Sequence, residues 1–343
     1  MKIAQVAPLT ESIPPRAYGG TERIVSYLTE ELVRLGHDVT LFASGDSMTK
    51  ARLEAVCPQA VGRLNATLNR NLFATYMMEK AFGADARKFD VIHSHLDFLG
   101  FPLIRRCQAP AITTIHGRLD MPELINVFRE FSDVPLVSVS QSQQRQMPWA
   151  NWKATIHHGV PKDVYAYNPN AGRYLGYIGR IAPEKAPDVA IAVAKSVRIP
   201  LRIAAKVDPV DQEYFQHAIR PLLADPLVQF VGEIDDHEKS EFLGGAIALL
   251  CPFQVEAFGL VLIEALACGT PVVTYRHGSY PEIIDDGVTG FLCQNFQELI
   301  ASIGLVPQIK RSKCREAFEA RFTTERMALD YVRLYGRMLS DHS

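Results

Sequence analysis

The sequence has no Asp-x-Asp motif, no Cys-x-x-Cys pair and no apolar run long enough to cross a bilayer, and each absence closes a class of function. Without Asp-x-Asp, a metal-bridged phosphate is not expected, and the adjacent pairs Asp235-Asp236 and Asp285-Asp286 read as turn or helix-end acids. No Cys/His set has zinc-ligand spacing. The six cysteines, Cys57, Cys107, Cys251, Cys268, Cys293 and Cys314, are scattered and lie mostly in apolar runs, as buried free thiols do, which points to the cytoplasm. The longest apolar stretches, residues 247–253 and 259–268, fall well short of the roughly 20 residues that span a membrane. Insertion is excluded, and attachment at a membrane surface stays open. The first residues, MKIAQVAP, lack the apolar segment and cleavage site of a signal peptide, so no export is expected. A formal net charge of -2 lacks the basic excess that nucleic-acid backbone binding needs, so any anion must be bound locally.

What is present is a chain of 343 residues, 48% hydrophobic and 22% charged, longer than one hydrophobic core usually grows. Two domains are expected. Short β-branched runs alternate with longer helical patterns, the signature of βαβ units around a parallel sheet buried on both faces. In the first half, residues 2–7 read as a strand, 20–35 as an amphipathic helix stopped by Gly36, and 38–43 as the next strand. Further strands are expected at 91–94, 111–115, 136–139 and 155–157. After a turn-rich segment at 159–172 that reads as a linker, the pattern restarts, with strands at 173–178, 201–205, 228–231, 248–252, 272–275 and 290–293. The expected fold class is α/β, with two Rossmann-like doubly wound parallel-sheet domains facing a central cleft. In such sheets ligands sit beyond the carboxyl ends of the strands, so the loops after strands hold the candidates.

The richest of these begins at Pro252, in PFQVEAFGLVLIEALACGTPVV. Glu256 falls in its loop and Glu264 on its helix. Phe258, Gly259 and Leu260 open that helix with N–H groups free to meet an anion, and Gly259 admits a close approach to the backbone. Each glutamate alone is as compatible with a structural role, Glu256 as a helix-start acid and Glu264 as a solvated helix residue. Yet nearly every neighbour of Glu264 is apolar, so its carboxylate requires a polar partner.

The second cluster is IGRIAPEKA from Ile178, with Gly179, Arg180 and Lys185 behind the first strand of the second half. Fixed cations there would stabilise charge developing on a leaving group, or they are two exposed basic residues in a loop. In the first half, PPRAYGGTE from Pro14 places Gly19 and Gly20 at a helix start, a phosphate-facing backbone or a plain turn, with Thr21 and Glu22 as cap candidates. Histidines end two strands, in His93-Ser-His95 and at His116, where half-buried structural histidines are also common.

Two glutamates with seven residues between them, the first followed by Phe-Gly-Leu, resemble the signature of the retaining glycosyltransferases of family 4, which have the GT-B fold. The segments GTPVV from Gly269 and PEIIDDGVTGFL from Pro281 extend the resemblance over nearly the whole second domain. The resemblance implies a nucleotide-sugar donor as co-substrate and no separate cofactor or metal. By it, Glu256 contacts the transferred sugar, the backbone at Phe258, Gly259 and Leu260 binds sugar and diphosphate, and Glu264 holds the ribose hydroxyls. Arg180 and Lys185, with Gly179, correspond to the diphosphate clamp, and Ala186 stands where family members usually carry glycine. Gly19 and Gly20 correspond to the first-domain phosphate loop. His116 resembles the histidine whose imidazole faces the donor sugar, where it could donate to sugar oxygens. His95 reads as an acceptor-side residue, and His157 and His158 as linker residues near the cleft.

The loop that follows residues 228–233 and includes Ile234 would offer backbone groups to the base, uracil by family frequency, and the sugar would be glucose. The implied domains are residues 1–158 on the acceptor side, 159–321 for the nucleotide sugar, and 322–343 as a helix crossing back to the first domain. The implied partners are a UDP-hexose and a carbohydrate or lipid-linked glycan acceptor, with no nucleic acid, in the cytoplasm or at the inner face of the cell membrane. A non-enzymatic nucleotide-binding protein and a sugar phosphorylase on a related fold are the competing readings.

Overall fold

The computed structural model describes residues 1–16, 18–64, 70–170 and 172–342. Ala17 of the Pro14 loop and Ala171 of the expected linker lie outside the described residues. The chain divides into two units. Unit 1 is Met1–Gly159 with Thr324–Ser343, and unit 2 is Val160–Thr323. This is the two-domain, Rossmann-like GT-B architecture, each unit built on its own parallel sheet.

Unit 1 contains β1 (Lys2–Val6), β2 (Asp38–Ser44), β3 (Arg52–Cys57), β4 (Val91–Ser94), β5 (Ala111–Ile115), β6 (Leu136–Ser138) and β7 (Trp152–Thr155). They pair in the order β3-β2-β1-β4-β5-β6-β7, all parallel. The central strands are buried on both faces: Ile3, Ala4 and Val6 of β1 are fully enclosed, as are Val91 and Ile92 of β4. Burial on both faces makes these strands read as continuous apolar runs. The helix Gly20–Arg34 buries Ile24, Val25, Leu28 and Leu32 at helical spacing. The final helix, Thr324–His342, belongs to this unit, and its Tyr331 and Tyr335 are fully buried. Arg326 anchors that helix by donating to the carbonyls of His157 (2.7 Å) and His158 (3.0 Å).

Two edge strands depart from the expectation. β3 was not expected at all, and β7 lies at Trp152–Thr155 where residues 155–157 were expected. Both sit at the rims of the sheet and are partly exposed, so Arg52, Glu54 and Lys153 interrupt the apolar pattern. Charged residues are the usual protection of an open strand edge, and they conceal it from a reading based on hydrophobicity.

Unit 2 contains β8 (Tyr174–Arg180), β9 (Leu201–Lys206), β10 (Val228–Gly232), β11 (Ala246–Cys251), β12 (Val272–Tyr275) and β13 (Gly290–Cys293). They are parallel in the order β10-β9-β8-β11-β12-β13. The turn-rich segment read as a linker is bound to this unit. Tyr165 is fully buried, Ala166 N donates to Ser240 Oγ (2.9 Å) and Asn168 Nδ2 to the Gly244 carbonyl (3.0 Å).

Arg311 is buried, and among the described residues no carboxylate accepts a hydrogen bond from it. Its guanidinium donates to the carbonyls of Asn168 (2.7 Å), Ala246 (2.9 Å) and Gly244 (2.9 Å) and to Thr270 Oγ1 (2.7 Å). Gly244 ends the helix Asp236–Gly244, so a partial negative charge of that helix faces the cation. In both sheets the order in which successive strands are added reverses at the centre, between β1 and β4 in unit 1 and between β8 and β11 in unit 2. These are the switch points where an open α/β sheet leaves a crevice beyond its strand ends.

Candidate functional site

At the switch point of unit 2, two segments far apart in sequence become neighbours because β8 and β11 pair. The loop after β8 carries Arg180 at the strand's last position and Lys185 at the end of a short 3-10 turn. The loop after β11 carries Glu256. Gln254 N donates to the Glu184 carbonyl (3.0 Å), stitching the loops together, and Lys185 Nζ donates to Glu256 Oε2. The same ammonium lies 4.7 Å from the Phe253 ring centroid, a cation–π contact that restricts it further. Phe253 also limits the β8 side, since a Cβ on Gly179 would sit 3.0 Å from its Cζ.

Arg180 is turned elsewhere. It pairs with Glu184 (2.5 Å), Asp211 (3.2 Å) and Asp208 (3.7 Å), so an anion approaching it competes with three carboxylates. The sequence singles out Arg180 and Lys185 together, and the structure gives them different partners. Ala186 has φ 46° and ψ 51°, left-handed backbone that favours glycine.

The helix Leu260–Ala267 starts behind Glu256. Gly259 precedes it with φ 109°, and no side chain caps it. A Cβ at Gly259 would meet Tyr280 Cε1 at 3.2 Å, so glycine is required by backbone and neighbour alike. Ser279 Oγ donates to the Phe258 carbonyl, and the buried Phe258 ring meets Phe322 edge-on at 6.3 Å, which fixes the approach to the helix. Leu260 is its first residue and is half-buried.

Glu264 lies on this helix and is 3% exposed. The polar partner that its apolar surroundings require comes from the chain itself: Tyr165 Oη donates to Oε1 (2.8 Å) and Lys239 Nζ to the same oxygen (3.0 Å). Sequence reasoning missed both. Lys239 was findable, because a buried carboxylate calls for a cation and Lys239 sits one turn into a helix marked by the capping box of Asp235 and Glu238. Tyr165 carried no signal, lying in a segment read as linker. Ile234, proposed for the base, is half-buried in the loop between β10 and that capped helix.

Unit 1 places its candidates at its own switch point. The loop after β1 ends at Gly19, whose Cβ would fall 2.7 Å from Pro15 Cβ, and Gly20 begins the helix. No side chain caps this helix either. Glu22 is buried in its first turn, and burial pushes its carboxyl above the ordinary value.

His95 follows β4 and His116 follows β5. His95 Nδ1 lies 2.9 Å from His116 Nε2, and His95 Nε2 lies 2.7 Å from Gln5 Oε1. The His116 and His158 rings stack at 5.2 Å. Gln143 Nε2 donates to the carbonyls on either side of His116, those of Ile115 (2.9 Å) and Gly117 (2.8 Å). Asp97 Oδ1 accepts from His116 N (2.7 Å). Burial pushes the Asp97 carboxyl up to about 6, against the lowering effect of the His116 and Gly117 N–H groups. Burial takes the His116 imidazole down to about 3, and His93, His95 and His158 are lowered from the same cause. All four are neutral at pH 7. Gln5 and Asp97 were not singled out in the sequence, where a strand glutamine and a loop aspartate are unremarkable.

Among the described residues, no group of three or more His, Cys, Asp and Glu is placed to hold a metal ion. Among the described residues, no helix is long and apolar enough to cross a membrane.

Comparison with known proteins bears on the family and the fold. The model of the family "Glycosyltransferase Family 4" matches residues 18–211, and that of "Glycosyl transferases group 1" matches residues 167–317. The D-inositol 3-phosphate glycosyltransferase of Frankia alni is 36% identical over 340 residues, covering 80% of this chain and 82% of that protein. Among solved structures, sucrose-phosphate synthase from Thermosynechococcus elongatus aligns with a TM-score of 0.80 at 18% identity over 99% of both chains. Anabaena HepE in complex with UDP-glucose aligns with a TM-score of 0.72 at 19% identity, over 99% of this chain and 100% of that one.

Proposed function

The chain belongs to glycosyltransferase family 4, and on that footing we propose that it moves glucose from UDP-glucose to an acceptor hydroxyl with retention of anomeric configuration. The observation that carries the proposal is the Lys185–Glu256 pair, held at the switch point of unit 2 beside an uncapped helix start. The donor's C1–O bond to the diphosphate breaks while the acceptor oxygen bonds to C1 on the same face. The departing phosphate oxygen takes the acceptor's proton. Charge builds on the diphosphate, and Lys185 with the N–H groups at Gly259 and Leu260 stabilises it. Lys185 supplies positive charge to the leaving group, and Arg180 adds to it only by turning away from Glu184, Asp208 and Asp211.

Glu256 orients sugar hydroxyls and is not a nucleophile. Glu264, fixed by Tyr165 and Lys239, receives the ribose hydroxyls, and the Ile234 loop receives the base. The choice of UDP-glucose is supported by the Anabaena HepE structure, which holds that donor on the same fold. The acceptor is a polysaccharide or glycoconjugate in synthesis, and the setting is the cytoplasm, at the inner membrane face when the acceptor is lipid-linked.

The direct test is NMR of the anomeric proton in the first-formed product, where an inverted linkage overturns the mechanism. The donor is tested separately by thermal shift. UDP-glucose should raise the melting temperature where GDP-linked sugars do not, because only ligands of the folded state stabilise it.

A further inference from the structure

Behind His116, the interior of unit 1 holds a continuous chain of polar side chains that the transfer reaction does not itself use. It runs from His116 Nε2 to His95 Nδ1 (2.9 Å), from His95 Nε2 to Gln5 Oε1 (2.7 Å), and from Gln5 Nε2 to Tyr335 Oη (3.3 Å). It continues from Tyr335 Oη to His93 Nδ1 (2.7 Å) and from His93 Nε2 to Thr114 Oγ1 (2.7 Å), which also meets Tyr331 Oη (2.8 Å). Every group between the outer histidine and Thr114 has a partner on each side. The exception is the outer end: His116 Nδ1 is buried and has no hydrogen-bond partner among the described residues.

A neutral imidazole donates through one nitrogen and accepts through the other, so the direction of one bond dictates the next. The amide oxygen of Gln5 faces His95 and its NH2 faces Tyr335. An amide oxygen only accepts, so His95 carries its proton on Nε2 and offers a lone pair at Nδ1. His116 must then donate through Nε2, which leaves the lone pair on Nδ1. Inward, Gln5 donates to Tyr335, Tyr335 to His93 Nδ1, and His93 Nε2–H to Thr114, whose two lone pairs accept from His93 and Tyr331 together. The reverse direction would bury an unpaired N–H at His116 Nδ1, and orphaned buried N–H groups are rarer than under-satisfied acceptors.

We infer that Gln5 and His95 are positioning residues that lock His116 in the tautomer whose Nδ1 accepts, so that this atom takes a hydrogen bond from a hydroxyl of the ligand. This reverses the donor role that the family resemblance implies for His116. It makes the position selective: a ligand hydroxyl is received, and a ligand oxygen that can only accept is repelled by the facing lone pair. The ligand's being a sugar rests on the glycosyltransferase reading, whereas the tautomer does not. With no charged form at neutral pH, the direction holds across the working range.

The tautomer is read by long-range 1H–15N NMR of the full-length protein labelled in its histidines, without ligand, the His116 signals being assigned by their loss in His116→Asn. The expected result is a pyridine-like Nδ1 and a pyrrole-like Nε2. A pyrrole-like Nδ1 overturns the inference, even if the enzyme turns over UDP-glucose as proposed. Gln5→Glu keeps an acceptor facing His95 and should preserve the His116 pattern, whereas Gln5→Leu removes it and should give a mixture of tautomers. An unchanged pattern in folded Gln5→Leu overturns the positioning role. If that variant fails to fold, a pattern in Gln5→Glu differing from the wild type does the same.

Discussion

Lys185 and Glu256 are 71 positions apart and share one ion pair because β8 and β11 are neighbours at the centre of their sheet. The pair is partly solvated, with side-chain exposures of 15% and 27%, so its contribution to stability is small and its value lies in placement. Lys185→Ala should therefore leave the melting temperature nearly unchanged while lowering kcat by about 100-fold to 1000-fold, the usual effect of removing one charge-stabilising donor. Steady-state kinetics with UDP-glucose checks this, and near-wild-type turnover would refute a role for Lys185 in leaving-group departure.

Glu264 and Lys239 form the opposite kind of pair, with side chains only 4% and 13% exposed. Removing one partner strands a buried charge. Lys239→Met should cost about 3 kcal/mol, and adding Glu264→Gln should recover most of it, because an uncompensated ion is worse than no ion. Urea unfolding of both single variants and the double variant measures the coupling.

Ala186 holds left-handed backbone that costs an L-residue about 1–2 kcal/mol. Glycine removes that strain and forfeits part of the gain through its freer unfolded chain. Ala186→Gly is expected to stabilise unit 2 by about 1 kcal/mol, raising Tm by about 2–4 °C. Calorimetry checks it, and a lowered Tm would mean that the alanine methyl contributes more packing than its conformation loses.

The pH dependence of unit 1 sets two effects of opposite sign against each other. Asp97 has a folded value raised to about 6, so the native state binds its proton more tightly than the unfolded chain does, and stability from this group falls as pH rises from about 4 to 6. The four buried histidines have folded values below 6.5, so each adds stability above pH 6.5 that is lost on acidification, at about 1.4 kcal/mol per pH unit. Four groups outweigh one, and unit 1 should lose stability steeply below pH 6.5. Asp97→Asn should steepen the loss between pH 6 and 4 by removing the opposing contribution. Denaturant midpoints taken at intervals from pH 7.5 to 4.5 test both signs.

The fold was legible because parallel strands buried on both faces announce themselves as apolar runs, as Lys2–Val6 and Val272–Tyr275 do. What the sequence obscured was the rim, where Arg52 and Glu54 in β3 and Lys153 in β7 break the pattern. Candidate loops were equally plain, since glutamate, lysine and glycine behind an apolar strand stand out. Their side-chain partners were not, because partners depend on strand order and on which helix crosses where. Arg180 facing Glu184, Asp208 and Asp211, and Glu264 meeting Tyr165 across 99 positions, are facts of the assembled sheet. Gln5 is the extreme case: its meaning comes entirely from His95 and Tyr335, 90 and 330 positions away.

Tyr331 and Tyr335 complete the interior of a unit whose strands are all made within the first 155 residues. On the ribosome, the sheet of unit 1 emerges with His93 Nδ1 and Gln5 Nε2 lacking their partner Tyr335, and it waits through the synthesis of all of unit 2 before the helix that satisfies them arrives. Unit 2 is covalently continuous and can fold as it appears. The later half of the molecule is thus the first able to reach its finished form, and the earlier half is closed last.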